Sequence, residues 1–393
     1  MKRFLSDNTF YFYRGRVALH GLLRALNIEP GDEVLIPGFT CIAVPSPILG
    51  LGARPIYVDI DPANYNLNPA ALDRQVTKRS KAIIAQHTFG IPCEMDAIMT
   101  IAERHGLPVI EDSCHVWGAR YNGRDLGEIG SAAFYSYDPG KPFIIGMGGA
   151  ATVNSPLLRD RMQALQHLYH APAAFETFKL HLQYAAHRLT RNPRFFWRIR
   201  DLYRYLSKNG VAIATWTADS REGRLDPDYE KALPPSLQRR LSAHMRRGEQ
   251  VIARHKRLAD RYDCGLRALG FPAPDRTPTA EPVFICYPIQ VSDKARLLGQ
   301  ARKANVELGD WFSSPVHPLG EHEWEAVGYQ KASCPVAEAV SERIVTLPCH
   351  AGVSDKEADR ILAFLGRMKR QGIFEFAPVA AVEHRTAAVS AGV

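Results

Sequence analysis

The chain has 393 residues, 46% of them hydrophobic and 23% charged, with a net charge of +8, which is typical of a globular protein long enough for two domains. No apolar run reaches the roughly 18 residues of a membrane-spanning helix, and the basic pair Lys2-Arg3 is not followed by the apolar stretch of a signal peptide. The seven cysteines are scattered without a Cys-x-x-Cys pair, so we expect no metal site, no disulfide framework and a cytoplasmic location.

Hydrophobic periodicity predicts alternating helices and strands over the first 160 residues. Leucines at three- and four-residue spacing predict a helix over 10–29, and further helices are expected over 40–49 and 95–105. Short apolar segments bounded by turn residues predict strands, at 33–36, 54–58, 81–86, 109–110, 132–136 and 150–153. Such an alternation is typical of an α/β fold whose mostly parallel sheet is covered by helices on both faces.

The later part of the chain departs from this alternation. Helices are predicted over 157–170 and 175–189, and one long helix over 235–269 with Gly248 inside it. A smaller α+β region follows, with strands at 283–290 and 343–347 and helices at 292–304 and 355–371. We therefore predict a large domain of residues 1–240 with a helical insert at about 156–235, a small domain of 241–372, and a disordered tail of 373–393.

Almost all of the net charge lies in one part of the insert. Residues 179–208 contain eight lysines and arginines against one acid, Asp201, and therefore carry +7. Several aromatic rings, including Phe196 and Trp197, are interleaved with these cations. Peripheral contact with an anionic membrane, binding of an anionic substrate such as a nucleotide sugar, and an ordinary insertion with solvated charges all remain open. No nucleic-acid role is expected, because no recognition motif accompanies the segment.

Two predicted strand ends each deliver a charged group. Asp112 ends the apolar run that begins at Leu107, and Lys141 lies on a turn after the apolar segment 131–137. Since ligands of parallel sheets bind beyond the carboxyl ends of the strands, we expect both groups in one cleft. An amine near apolar walls can attack a carbonyl, and a carboxylate can hold a pyridine nitrogen protonated, as pyridoxal phosphate (PLP) requires. The neighbouring Glu111 is interpreted as a carboxylate that caps a turn.

A set of short motifs extends this interpretation from about residue 14 to 160. The motifs are Pro30-Gly31-Asp32-Glu33-Val34, Ile36-Pro37-Gly38-Phe39-Thr40, Gly52-Ala53-Arg54-Pro55, Val58-Asp59-Ile60-Asp61, His87-Thr88-Phe89-Gly90, Ile110-Glu111-Asp112-Ser113, Ser136-x4-Lys141 and Gly146-x-Gly148-Gly149. In order and spacing they resemble the DegT/DnrJ/EryC1/StrS family of PLP-dependent sugar aminotransferases, which have the fold-type I PLP-transferase fold. A weaker match resumes at about 235–365.

The resemblance implies a fold, a reaction and partners. The fold would be a large α/β domain with a mostly parallel sheet of the seven-stranded type between helices, and a smaller α+β C-terminal domain. PLP would be the cofactor, and an amino acid, usually glutamate, would donate the amino group. The acceptor would be a keto-sugar, often linked to a nucleotide or another carrier, and the protein would be a homodimer.

The resemblance also implies roles for individual residues. Lys141 would bind the cofactor covalently, and Asp112 would pair with its pyridine nitrogen. His115 would contact the cofactor ring or its 3-hydroxyl, and Ser136 would donate to its phosphate. His87 matches the family's His-x-x-Gly motif, with a core contact as the alternative. A branch of the family that replaces the lysine by histidine performs dehydration, so Lys141 favours transamination.

The chain departs from the family pattern at three places. Arg14-Gly15-Arg16 stands where the family has Ser-Gly-Thr. The backbone amides at the start of the helix that Gly15 opens, and the Arg16 guanidinium, are therefore expected to bind phosphate. Cys41 stands where an aromatic ring often stacks on the cofactor, and Phe39, Phe89 or His115 could supply that ring instead. No Asn-x-Arg-Met segment, with which the family reaches the partner subunit's phosphate, follows the lysine.

The predicted small domain contributes two further candidates. Trp311 and His317 lie in a segment that the family brings over the substrate, and a local aromatic core is the alternative. Two other functions remain open beside transamination. One is a different PLP reaction, such as that of a lyase or dehydratase. The other is a non-catalytic relative that uses the fold as a scaffold or sensor.

Overall fold

The structure is a computed structural model that describes residues 7–189, 196–208, 218–222, 224–225, 227–271 and 279–376, and the statements below concern these residues. The strands, in chain order, are β1 (Thr9–Phe12), β2 (Glu33–Pro37), β3 (Thr40–Cys41), β4 (Arg54–Val58), β5 (Ser80–Gln86), β6 (Val109–Asp112), β7 (Arg120–Tyr121), β8 (Arg124–Asp125), β9 (Ala132–Ser136), β10 (Gly149–Val153), β11 (Ala280–Glu281), β12 (Cys286–Gln290), β13 (Val316–His317) and β14 (Ile344–Pro348).

The helices complete the framework. In chain order they are α1 (Gly15–Ala25), α2 (Pro45–Gly50), α3 (Pro69–Gln75), α4 (Met95–His105), α5 (Pro156–Leu165), α6 (Ala174–Leu189), α7 (Phe196–Lys208), α8 (Ala218–Arg221), α9 (Pro235–Met245), α10 (Gly248–Ala268), α11 (Lys294–Lys303), α12 (Pro335–Arg343) and α13 (Asp355–Arg370). None of these described helices combines the length and the apolarity needed to cross a bilayer.

A seven-stranded sheet forms the centre of the large domain. Its order is β1-β10-β9-β6-β5-β2-β4. The strands from β9 to β4 are parallel, whereas β10 is antiparallel to both β9 and β1. Every residue of β2, β6, β9 and β10 is buried, because the sheet is covered on both faces, and this explains their continuous apolar sequences. The predicted mostly parallel α/β sheet is confirmed.

Several predicted helix boundaries are wrong. The helix predicted over 10–29 starts only at Gly15, because Thr9–Phe12 alternates in burial and pairs with β10 as an edge strand. The helix predicted over 40–49 starts at Pro45, since Thr40 and Cys41 pair with β13 instead. The long helix predicted over 235–269 is two helices, which part between Met245 and Gly248, a residue with low helix propensity.

The C-terminal region contains the antiparallel pair β12–β14 with α10, α11, α12 and α13 around it. Several contacts join it to the large domain, among them the strand pair β11–β7 and the hydrogen bond of 2.8 Å from the Tyr57 hydroxyl to the Val327 carbonyl. The parallel pair β3–β13 sets Thr40 opposite Val316, and the Asp59 carboxylate accepts hydrogen bonds at 3.0 Å from the N–H groups of Val336 and Ala337 at the start of α12. The limits at 240 and 372 stay predictions, and most of the predicted tail lies outside the described residues.

Candidate active site

Asp112 ends β6 at the carboxyl edge of the sheet. It is only 4% exposed, and its Oδ1 accepts a hydrogen bond of 3.0 Å from the Cys114 N–H. Burial raises the pKa of this carboxyl group, while the Cys114 N–H and the positive charge of Lys141 lower it in part. The carboxylate is therefore held in a place where a cationic ligand would stabilise it.

Glu111 points to the opposite face of the sheet, as alternation along a strand requires. Its two oxygens accept hydrogen bonds from the N–H groups of Gly127, Ile129 and Gly130, at 2.6, 2.8 and 2.7 Å. Burial raises its pKa, but the His87 ring and these backbone groups outweigh burial and hold the pKa below its usual value. Glu111 therefore closes the loop that leads into β9, as its interpretation as a capping carboxylate predicted.

His87 lies on the same face as Glu111. Its Nε2 is 3.1 Å from the Glu111 carboxylate, and its Nδ1 accepts a hydrogen bond of 3.1 Å from the Cys93 N–H. A neutral imidazole has one donor and one acceptor, and both are used here. These two contacts correspond to the core contact that was the alternative for His87, and a contact with the cofactor stays a prediction.

Lys141 lies on the turn that follows β9, half-buried, where its N–H donates to the Asp138 carbonyl at 3.1 Å. Its ammonium group is 4.8 Å from the centre of the Trp311 ring. Its charge lowers the pKa of both Asp112 and Cys41, so the amine lies within electrostatic reach of both. The structure thus brings together the amine and the carboxylate from two adjacent strand ends.

Cys41 lies within electrostatic reach of Lys141, Arg16 and Asp112. Burial raises the pKa of its thiol to about 11, while Lys141 and Arg16 lower it and Asp112 raises it. The Cys41 sulfur accepts a hydrogen bond of 3.4 Å from the Ala43 N–H. The thiol is therefore neutral at pH 7 and offers a small surface where an aromatic ring would otherwise stack.

The amino end of α1 meets the carboxyl end of β9. A Cβ atom on Gly15 would lie 2.9 Å from the Ser136 Cβ, and one on Gly149 would lie 2.2 Å from the Arg14 carbonyl oxygen. Only glycines allow this approach of three backbone segments. The first amides of α1 and the Ser136 hydroxyl consequently converge, and no acidic residue occupies the first turn of the helix, an arrangement that suits a phosphate.

The two arginines that flank Gly15 differ in their surroundings. The buried Arg14 guanidinium donates to Asp228 at 2.7 Å. The Lys231 amine contacts the same carboxylate at 2.9 Å and Glu176 at 2.8 Å. Arg16, 4% exposed, acts electrostatically on Cys41 instead. Arg14 thus takes part in an ionic cluster with the insert, and the two arginines have different neighbours.

An aromatic cluster covers the other side of Lys141. The His115 ring lies 4.6 Å from the Trp311 ring, and its Nδ1 accepts a hydrogen bond of 3.3 Å from the Phe89 N–H. Burial, with the charge of Lys141, lowers the pKa of His115 well below its usual value, so the ring is neutral. Its contacts with His115 and Lys141 show that Trp311 reaches the site from the small domain.

His317, the other predicted substrate contact, lies opposite Cys41 in the β3–β13 ladder. Its Nδ1 is 2.9 Å from the Ser313 hydroxyl, within its own loop. Its ring centre is 6.5 Å from that of Trp311. His317 thus contacts the aromatic cluster that includes Trp311.

The turn that carries Lys141 is supported from outside by the insert, which sequence reasoning missed. A Cβ atom on Gly146 would lie 3.0 Å from the Leu180 carbonyl oxygen of α6. Arg240 of α9 donates to the Ile145 carbonyl at 2.7 Å, and its guanidinium carbon lies 4.0 Å from the centre of the Tyr184 ring. The sequence showed the glycine-rich turn after the lysine and predicted a helix over 175–189, but it did not predict the contact between them.

These residues fit PLP. The donor set offers an amine, a buried carboxylate, a neutral imidazole with flat neighbours, and a helix amino end beside a serine hydroxyl and a buried arginine. They match the aldehyde, ring nitrogen, ring face and phosphate of that cofactor. Among the described residues, no group of three or more histidine, cysteine or acidic side chains could hold a metal ion.

Known proteins resemble this chain over most of its length. A Pseudomonas aeruginosa protein named UDP-2-acetamido-2-deoxy-3-oxo-D-glucuronate aminotransferase is 30% identical over 337 residues, which cover 86% of this chain and 79% of that protein. A pleiotropic regulatory protein of Geobacillus stearothermophilus is 42% identical over 357 residues, which cover 91% and 83%.

The fold is also shared with solved structures. A putative sugar aminotransferase from Streptococcus pneumoniae in its PMP form has a TM-score of 0.72 at 22% identity, with 92% of this chain and 88% of that chain covered. The sequence model of the DegT/DnrJ/EryC1/StrS aminotransferase family matches residues 12–185 and 240–366. The chain therefore belongs to the DegT/DnrJ/EryC1/StrS aminotransferase family.

Proposed function

We propose that this protein uses PLP to transfer an amino group from an amino acid, glutamate in the first instance, to a keto-sugar linked to a nucleotide or another carrier. The observation that carries the proposal is the meeting of Lys141 and Asp112 at adjacent strand ends, beside the amino end of α1. The named sugar-nucleotide substrate of the P. aeruginosa relative supports the acceptor class. A homodimer in the cytoplasm belongs to the same proposal.

Each part of the site has one task in binding. Lys141 would hold the cofactor covalently, and Asp112 would keep a proton on the ring nitrogen. Ser136, the Gly15 amide and Arg16 would bind the phosphate. When bound, PLP supplies an electron sink for the bond that breaks at the substrate carbon. Burial of Asp112 strengthens its pairing with a cation, since water does not compete for the carboxylate.

Lys141 would also move the proton. Its Nζ would take the proton from the α carbon of the amino donor and, in the second half of the reaction, would give a proton to the carbon of the acceptor that receives the amino group. His115, held neutral by burial, would act as a hydrogen-bonding partner for the cofactor ring without adding charge. Trp311 would form a flat wall that keeps water away from the amine.

A lysine substitution tests this assignment. Purified protein mixed with PLP should show an absorption band at about 410–430 nm that bleaches with glutamate. Lys141→Ala should remove the band and the borohydride-stable adduct, whereas Lys331→Ala, a change at an exposed lysine, should keep both. An adduct that maps to another lysine would show that Lys141 is not the attachment site.

The acceptor is tested separately with a panel of nucleotide-linked keto-sugars and product detection by mass spectrometry. Formation of an amino-sugar with glutamate as donor supports the proposal. A band that no amino donor bleaches would favour a non-catalytic regulator, as the name of the G. stearothermophilus relative suggests for that protein. Release of ammonia or water without amino transfer would favour a lyase or dehydratase.

A further inference from the structure

The exposed face of helix α6 is apolar up to Arg188, near its carboxyl end. Its exposed residues before Arg188 are Ala174, Phe175, Phe178, Leu182, Ala185 and Ala186. At 100° per residue these positions fall within an arc of about 120°, so they form one continuous stripe. The exposed face of a helix in water normally carries charged and polar residues, and a stripe of this kind marks a surface that another apolar phase covers.

The exposed apolar residues are concentrated in this part of the molecule. Phe175, Phe178 and Leu182 of α6 are 68%, 61% and 60% exposed, and Leu202 and Tyr205 of α7 are 56% and 66% exposed. Elsewhere in the described residues only Leu157 and Leu225 stand out in the same way. The two helices are separated by only six residues along the chain.

Helix α7 is fixed to the body by its other side. The buried Trp197 donates from Nε1 to the Val306 carbonyl at 2.8 Å, and the Arg200 guanidinium carbon lies 4.2 Å from the centre of the Trp197 ring. The exposed Leu202 therefore belongs to a helix that is already anchored. Arg198, also exposed, adds positive charge beside it.

The charge of the surface indicates what covers it. Residues 179–208 carry +7, and the Lys179 ammonium group lies 4.8 Å from the centre of the Phe175 ring on α6 itself. A second copy that docked through the same face would bring two such segments together, which Coulomb repulsion opposes. A bilayer with anionic headgroups supplies both an apolar layer and the complementary charge.

We propose that α6 and α7 form a docking surface for an anionic lipid bilayer. Phe175, Phe178 and Leu182 would enter the boundary between headgroups and acyl chains, while Lys179, Arg188 and Arg198 would contact the headgroups. The family match extends to residue 185 and resumes at 240, so the apolar stripe of α6 lies within the shared fold apart from Ala186, whereas α7 lies outside the match. The proposal is independent of the amino acceptor.

Vesicle sedimentation with the full-length, PLP-loaded protein tests the proposal. We expect binding to vesicles of equal parts phosphatidylcholine and phosphatidylglycerol at low salt, little binding to phosphatidylcholine alone, and weakening as salt screens the charges. Phe175→Ser/Phe178→Ser/Leu182→Ser should weaken binding about tenfold or more. Arg188→Glu should weaken binding to the anionic vesicles.

A pair of leucines provides the matched control. Leu182→Ser should weaken binding, whereas Leu157→Ser, at a residue that is 62% exposed but lies outside the basic segment, should not. All variants change exposed side chains, and an unchanged melting temperature will verify that they fold. Equal effects of the two leucine changes, or no binding of the wild-type protein, would overturn the proposal. A lower molecular mass of Leu182→Ser in solution, without vesicle binding by the wild type, would identify a protein interface instead.

Discussion

The role proposed for Asp112 in cofactor binding and its contribution to the stability of the cofactor-free protein oppose each other. Its folded pKa lies above the unfolded value because of burial, so its contribution to stability falls as pH rises through this range and stays low at neutral pH. Asp112→Asn should therefore leave the cofactor-free protein equally stable or more stable at pH 7, while transamination falls about a thousandfold or more. Urea unfolding of the cofactor-free forms, with turnover of the loaded forms, checks both parts.

The pH dependence supplies the control for Asp112→Asn. At a pH low enough to protonate Asp112 in both folded and unfolded protein, the stability difference from the wild type should shrink. A clear loss of stability at pH 7 would contradict the view that burial leaves this carboxylate uncompensated in the cofactor-free protein.

Glu111, its neighbour, should behave in the opposite way. Its folded pKa is lowered, so its contribution to stability is present above the unfolded pKa and is lost as pH falls through the folded pKa. Glu111→Gln should lower the free energy of unfolding at pH 7 by about 2–4 kcal/mol, because an amide NH2 would face backbone donors. Urea unfolding should show this penalty shrinking in acid, and Glu103→Gln, at an exposed position, should cost nothing measurable. A penalty that does not depend on pH would argue against an ionised Glu111.

At the scale of elements, the contact between β10 and the start of α1 shapes the phosphate end of the site. Gly149→Ala would place a methyl group 2.2 Å from the Arg14 carbonyl oxygen, so the helix must move. We expect a loss of about 2–3 kcal/mol in stability and PLP affinity that is about tenfold weaker or worse. Fluorescence titration with PLP measures the affinity. Gly299→Ala, in α11 with open space around it, should keep the affinity and slightly stabilise the protein. Unchanged PLP affinity in Gly149→Ala would mean that the α1 amides do not bind the phosphate.

At the scale of the whole molecule, Asp59 links the two domains. Its carboxylate, on the large domain, accepts two hydrogen bonds from the amino end of α12, on the small one. Asp59→Ala should lower the free energy of unfolding by about 1–3 kcal/mol and broaden the calorimetric transition as the domains uncouple. Asp293→Ala, which removes an N-cap within one domain, should lower stability without broadening. Equal transition widths would show that Asp59 is only a cap.

The arrangement of the sheet and the meeting of Lys141 with Asp112 could be predicted from the sequence. Continuously apolar strands followed at once by polar residues leave one arrangement in a parallel sheet, with those residues at one edge. The helix predicted over 10–29 was wrong at its start, because Thr9–Phe12 pairs with β10 as an edge strand. This pairing buries Phe10 and Phe12 and leaves Thr9 and Tyr11 half-buried. Local periodicity carries no information about such a neighbour.

Side-chain partners distant in sequence were the least predictable part. Arg14 and Arg16 are the same residue type on either side of Gly15, and only the fold assigns Asp228 to the first. His87 follows a strand as Asp112 does, but pairs with Glu111 on the other face. The support of the Lys141 turn by α6 likewise depends on an insert whose packing no motif describes.

Helix α6 faces the protein body on one side and solvent on the other. The inner side contacts the turn at Gly146, five residues beyond Lys141, and the outer side carries the apolar stripe. The Gly146 contact and the stripe therefore belong to one helix of 16 residues. The turnover rate should therefore be measured both in buffer and with anionic vesicles. A difference between the two rates would show that contact at the stripe affects the turn that carries Lys141.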